Sequence, residues 1–309
     1  MRALVYGLVA SFFFAFTFIL NRSMEMDGGH WAWSASLRFF FMLPILALMV
    51  LGKGGMEQAL RHLRQHLPAY LVWSTVGFGL FYAPVCLGAS FGEGWLIAGT
   101  WQITIIAGPL LTPFLFKPAP EELGQPFYRR IPFRAMRWSL LILLGIFLMQ
   151  WEHARTISAG QALACIAPIL FAAFMYPLGN RKMMEVCKDN VDTFQRVLNM
   201  TIASLPFWLL LSVWALFSHG PPGSGQVWQS LLVALFSGVM ATLLFFAATN
   251  LVKQDPARLA SVEATQAGEI VFALLGEIVL LGAPLPSLIS LAGIALVIAG
   301  MVLHSLRSR

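Results

Sequence analysis

Ten apolar stretches, each near the length a helix needs to cross a bilayer, fill almost all of this 309-residue chain. A spanning helix takes about 20 apolar residues. The stretches cover roughly 3–20, 31–51, 68–88, 94–116, 138–151, 159–179, 193–217, 227–251, 258–281 and 285–304. The fifth is short and is expected to extend at one end. No soluble domain fits between them, and the longest polar segment, 117–137, holds five basic residues. Only 11% of the residues are charged, against roughly 25% in a soluble domain, too few to cover a water-facing surface. The fold class expected is therefore all-α integral membrane, with ten transmembrane helices. The first stretch has no small-residue cleavage pattern before Asn21 and reads as a retained span. Cys86, Cys165 and Cys187 are scattered and odd in number, which gives neither a disulfide framework nor a metal site.

Basic residues set the direction of insertion, because Lys and Arg accumulate on the cytoplasmic side. With the N-terminus inside, the inner segments hold 16 of the 20 Lys and Arg, among them Arg2, Lys53, Arg61, Arg181, Lys182, Lys253 and Arg307. The outer segments hold only Arg22 and Arg155, while Arg38 and Arg196 fall within spans. Both termini are expected to be cytoplasmic. Trp31, Trp33, Trp95, Trp138, Trp151 and Trp228 sit at span ends, as an interfacial aromatic belt would. Trp73, Trp101 and Trp208 lie deeper.

The two halves echo each other. Asn21-Arg22-Ser23-Met24 closes the first span and Asn180-Arg181-Lys182-Met183 the sixth, 159 residues on. Gly79 and Gly238, and Ala89 and Ala248, repeat that offset, and Arg38 matches Arg196 at 158. Leu144-Gly145-Ile146 resembles Ala292-Gly293-Ile294 at 148, after the longer loop of the first half. Five spans per copy is odd, so residues 1–155 and 156–309 are expected to form repeats of opposite topology. That is the architecture of transporters that alternate access around a midplane site.

Span nine reads LASVEATQAGEIVFALLGE over 259–277 and carries Glu263, Glu269 and Glu277 with Gln266. Charges at membrane depth are costly and usually functional. At about 100° per residue, these four side chains share one sector of the helix. Depth separates them. Glu263 lies level with Arg196, and Glu277 lies nearer Arg38 and the loop acid Glu93, so Arg196–Glu263 and Arg38 with Glu277 or Glu93 are ion-pair candidates. Glu269 has no cation at its depth, and a carboxyl group of that kind can carry a proton. Span four places Trp101-Gln102 where span nine has Thr265-Gln266. Trp101 could stack on a flat or cationic molecule, or simply pack. Pro84, Pro109 and Pro113 are expected to kink spans three and four. The six histidines fall in loops or at span ends, His62 and His66 on an expected solvated face, and Asp192 and Asp255 read as caps or loop charges. No enzyme signature or metal motif is present, so no catalytic residue, metal or cofactor is expected.

The segments NRSM, WSASLRFFFMLPIL, WSTVGFGLFYAP, GTWQITIIAG, YPLGNRKMM, DTFQRV and ATQAGE resemble the drug/metabolite transporter superfamily, EamA-like with ten spans, and within it the branch named for multidrug resistance efflux. The resemblance covers essentially the whole chain. It implies a bacterial inner-membrane exporter of small organic, cationic or aromatic compounds, driven by proton antiport. Export of a specific metabolite such as an amino acid or nucleoside is the alternative. A non-transporting membrane partner on the same fold is a reading of another class. The expected partners are a small-molecule substrate and the lipid bilayer, with no nucleic acid and a possible homodimer. The four-span multidrug exporters of the superfamily keep a carboxylate in span one; this chain has none there, so a proton-exchanging carboxylate is expected elsewhere, at Glu269 or Glu263, in a substrate or coupling site shared with Gln266, Trp101 and Gln102.

Overall fold

A computed structural model describes residues 1–115, 138–155, 157–188, 190–252, 261–262 and 264–307. The basic segment 117–137, Asp255 and Glu263 lie outside the described residues. Among the described residues the chain is all-helical. Six helical segments are long and apolar enough to cross a membrane: Arg2–Met26, Trp31–Gly52, Leu67–Ala89, Ala159–Cys187, Thr193–His219 and Ser224–Thr249. Shorter or interrupted helices occupy the other apolar stretches. We name α1 (Arg2–Met26), α2 (Trp31–Gly52), α3 (Met56–Gln65), α4 (Leu67–Ser74), α5 (Leu80–Ala89), α6 (Gly94–Trp101) and α7 (Thr104–Leu115). The second half holds α8 (Ser139–Ala154), α9 (Ala159–Cys187), α10 (Thr193–His219), α11 (Ser224–Val233), α12 (Thr242–Asn250), α13 (Gly268–Leu281) and α14 (Leu288–Arg307).

The interruptions follow a pattern. A π-helical turn, Thr75–Gly79, joins α4 to α5, and a longer one, Ala234–Ala241, joins α11 to α12. They begin 159 residues apart, the offset of the sequence repeat. In the third span the irregular turn precedes Pro84, which lies inside the regular α5. In the fourth, the helix breaks at Gln102 and Ile103, upstream of Pro109. The ninth contains a 3-10 turn at Thr265–Ala267 before α13.

Helix starts at the membrane edge are built from local hydrogen bonds. Ser158 with Gln161 and Asp192 with Gln195 form reciprocal capping boxes at α9 and α10. These satisfy backbone N–H groups left open by the first turn, and Asp192 is the cap its position suggested. His62 departs from expectation. It is buried against the membrane-spanning bundle, with Nδ1 3.0 Å from the Tyr70 hydroxyl. The amphipathic α3 turns His62, Ala59 and Leu63 inward and leaves Arg61 and Glu57 in water. Trp95 also leaves the expected interfacial belt and is 7% exposed, whereas Trp151 and Trp228 are exposed. Trp208 is fully buried and stacked on Phe39, with ring centroids 4.4 Å apart.

Small residues let helices meet closely, as in other membrane bundles. α8 and α14 cross at Gly145 and Gly293, where a Cβ on Gly145 would lie 2.5 Å from the Gly293 carbonyl oxygen. These are the glycines of the Leu-Gly-Ile and Ala-Gly-Ile echo. Gly145→Val is expected to force the pair apart and destabilise the fold by about 1–3 kcal/mol, the usual cost of overpacking. Thermal melting of the purified protein in detergent measures it.

At the loop end of the bundle, His30 caps α2 and stacks on His219, with ring centroids 3.8 Å apart. Burial and the neighbouring His219 hold the His30 imidazole below its ordinary value of 6.5. The folded state thus binds this proton less readily than the unfolded chain. The contribution of neutral His30 is present above about pH 6.5 and is lost as pH falls through and below that value. His62 shifts in the same direction, through burial and His66. The melting temperature is expected to drop between pH 7.5 and 5.5, and His30→Asn, which keeps a capping acceptor, to reduce the drop.

Candidate functional site

Helices from both halves surround a central cavity of about 400 Å³. Its wall is built where the helices are irregular. The break at Gln102 and the 3-10 turn containing Gln266 both line it, as do Phe78 and Ser237 from the two π-helical turns. A broken helix exposes backbone polar groups, which hydrocarbon does not tolerate but a cavity does. An aromatic wall forms where Phe81 meets Trp101 at 4.9 Å and Tyr176 at 4.8 Å between ring centroids.

The residues singled out in the sequence divide. Glu269, Gln266, Trp101, Gln102, Arg38 and Arg196 all line this cavity. Glu269 is only 3% exposed and lies beside the Gln102 side chain on the cavity wall. The Gln102 amide donates to the Ala98 carbonyl at 3.0 Å, which anchors it to the last turn of α6 at the helix break. Glu263 lies outside the described residues, so its pairing with Arg196 has no structural counterpart here. The Arg196 guanidinium lies 5.3 Å from the centre of the Phe246 ring.

The ion pair expected for Arg38 is not formed, and each partner has another use. Glu277 accepts from the backbone N–H groups of Gly94 at 2.7 Å and Trp95 at 3.1 Å, the first residues of α6. A carboxylate there satisfies open donors and meets the positive end of the helix dipole. Gly94 leaves the space for it, because a Cβ would lie 3.1 Å from Glu277 Oε1 and 2.9 Å from the Phe18 backbone. Glu93 faces His153, Oε2 to Nδ1 3.7 Å. Arg38 donates to the hydroxyls of Thr17 at 3.4 Å and Ser237 at 3.2 Å, and its guanidinium carbon sits 4.0 Å from the Tyr82 ring centre.

Several cavity residues carried no separate signal in the sequence. Arg181 was counted with the cytoplasmic loop charges, yet α9 runs eight residues beyond the apolar stretch that ends at 179, and the side chain lines the cavity and donates to the Gly108 carbonyl at 2.7 Å. Thr17, Ser237 and Tyr176 are single polar groups in apolar helices; the clue was that Thr17 and Tyr176 stand 159 residues apart, at matching places of the repeat. Among the described lining residues, three arginines face one acid, Glu269. No group of three or more metal-ligating side chains occurs among the described residues.

A closed helical bundle with broken helices around a polar-lined cavity is the build of a membrane transporter. The chain belongs to the family described as "Putative multidrug resistance efflux transporter", which it matches over residues 1–309. It is 51% identical to the uncharacterized protein YjlA of Bacillus subtilis (strain 168) over 310 aligned residues, covering 100% of this chain and 96% of that protein. It is 44% identical to an uncharacterized 42.1 kDa protein of Shouchella clausii, encoded in the 3' region of intracellular alkaline protease, covering 87% of this chain and 70% of the relative. A solved crystal structure shares the fold at a TM-score of 0.64 and 13% identity, covering 97% of this chain and 95% of the other.

Removing the Glu277 carboxylate should act on the fold and spare the cavity. Glu277→Ala leaves two backbone donors of α6 open and is expected to cost about 1–3 kcal/mol, read as a lowered melting temperature with cargo affinity unchanged.

Proposed function

We propose that this protein is a secondary active transporter of the bacterial inner membrane that exports small aromatic organic compounds by exchange for protons. Ten crossings in two inverted repeats, with both termini cytoplasmic, form the framework of this reading. Support for the repeats comes from packing. The second span packs on the seventh and the fifth on the tenth, while the π-helical turn of the third span packs on α9 and α10 and that of the eighth on α1 and α2. Exchanging the halves maps the first two pairings onto themselves and the two π-turn pairings onto each other.

The observation that carries the function is Glu269, a buried carboxyl group on the wall of an aromatic-lined cavity between the two halves. One group that holds either a proton or a positively charged part of the cargo, and never both, couples the two movements. Gln102 sets a polar side chain beside the carboxyl, and the Phe81, Trp101 and Tyr176 rings offer faces for a flat molecule. A specific metabolite rather than a range of cations is the second reading. Arg38, Arg181 and Arg196 in the wall favour it, since a cargo that is only cationic meets three like charges.

The test is proton movement in proteoliposomes under an imposed pH gradient, with cargo present. Wild type is expected to move protons against cargo. Glu269→Gln, fixed in the neutral form, is expected to lose coupled movement at least tenfold while cargo exchange at equal pH persists. Undiminished coupling in that variant would contradict the assignment.

A further inference from the structure

The cavity contains a buried cation with no anion beside it among the described residues. Arg38 is 7% exposed, and its Nε is buried without a hydrogen-bond partner. Its terminal nitrogens reach the hydroxyls of Thr17 and Ser237 at 3.4 and 3.2 Å, and its guanidinium carbon sits 4.0 Å from the centre of the Tyr82 ring, neutral contacts that leave its charge unmatched. Those hydroxyls are tied together, Thr17 donating to Ser237 at 2.5 Å. Among the described residues no carboxylate lies within ion-pair distance of this guanidinium. A guanidinium carries five N–H donors in a planar fork that fits a carboxylate or phosphate. Leaving such a group buried and unpaired is unfavourable. The two acids that could have neutralised it, Glu277 and Glu93, are engaged elsewhere, on the start of α6 and on His153.

We propose that Arg38, with the hydroxyls of Thr17 and Ser237, is the seat for an acidic group on the cargo, a carboxylate, sulfonate or phosphate. The aromatic body of the same molecule lies on the wall of Phe81, Trp101 and Tyr176, which lines the same cavity. The inference rests on the transport reading and adds to it the chemistry of the cargo. A positive group on that cargo sits toward Glu269 and keeps its competition with the proton. Arg196 lies at the matching place of the second half and lines the same cavity, so an acid that leaves Arg38 meets a second guanidinium.

The experiment is isothermal titration of the purified full-length protein at pH 7 with three probes that share one ring: indole-3-acetate, tryptophan and tryptamine. Both acids are expected to bind at least tenfold more tightly than tryptamine. Arg38→Gln is expected to weaken the acids about ten- to a hundredfold, the scale of a hydrogen bond to a charged group, and to leave tryptamine within about threefold. Arg38→Lys, with the charge but without the fork, falls between. If Arg38→Gln does not fold, Ser237→Ala carries the test, with a threefold or larger loss for the acids supporting the seat and unchanged affinity overturning it. Tryptamine binding as well as the acids, no probe binding at all, or acids keeping their affinity in Arg38→Gln would each overturn it. Should Arg38→Gln keep acid affinity while Glu269→Gln loses proton movement, the seat fails and the transport reading stands. Acids that bind through Arg38 without any proton movement in wild type give the reverse.

Discussion

The absence of water from the bilayer core governs this molecule more than any single contact. Every backbone donor and acceptor in hydrocarbon needs a partner within the protein, and every buried charge needs an answer. Regular helices meet the first demand over most of the chain. Where helices break, at Gln102 and at Thr265–Ala267, the breaks face the cavity or neighbouring helices. Where a helix begins inside the bundle, as α6 does, a carboxylate from another helix closes its first N–H groups. Glu277 is thus a structural acid: its carboxyl group joins α13 to the start of α6.

The same constraint separates structure from function among the buried charges. Glu277 and Glu93 have partners that account for them. Among the described residues Arg38 is answered by hydroxyls and a ring, and Glu269 has no ion-pair partner. Both line one cavity, and the two π-helical turns that line it with them begin 159 residues apart. Residual electrostatic demand therefore collects where a cargo would sit. Close helix approach at Gly77 and Gly179, where a Cβ on Gly179 would lie 2.3 Å from the Gly77 backbone, packs the π-helical turn of span three tightly against α9.

Much of this was legible in the sequence. Bilayer thickness sets span length, so apolar runs marked the helices, although α1 and α9 continue six and eight residues past theirs, and the fold class followed. Glu269, Gln266, Trp101 and Gln102 were recognisable because polar groups are rare at that depth. Partners were less legible. Matching Arg38 to Glu277 by depth ignored rotation about the helix axes, and the partner Glu277 takes is a pair of backbone N–H groups, which no side-chain pattern announces. Arg181 was hidden because α9 continues past its apolar stretch. His62 looked solvated because its neighbours are charged, although the helical spacing of Ala59, His62 and Leu63 places all three on one inward face.

The central claim is that the cavity beside Glu269 opens alternately to the two sides of the membrane. The three native cysteines are all buried and free, so a single added thiol can be read in a background replaced by alanine. Labelling of Gln266→Cys by a membrane-impermeant thiol reagent, applied to right-side-out and to inverted vesicles, tests the claim most directly. The account predicts labelling from both sides, slowed by bound cargo on each. Labelling from one side alone, or labelling that cargo does not slow, would contradict it.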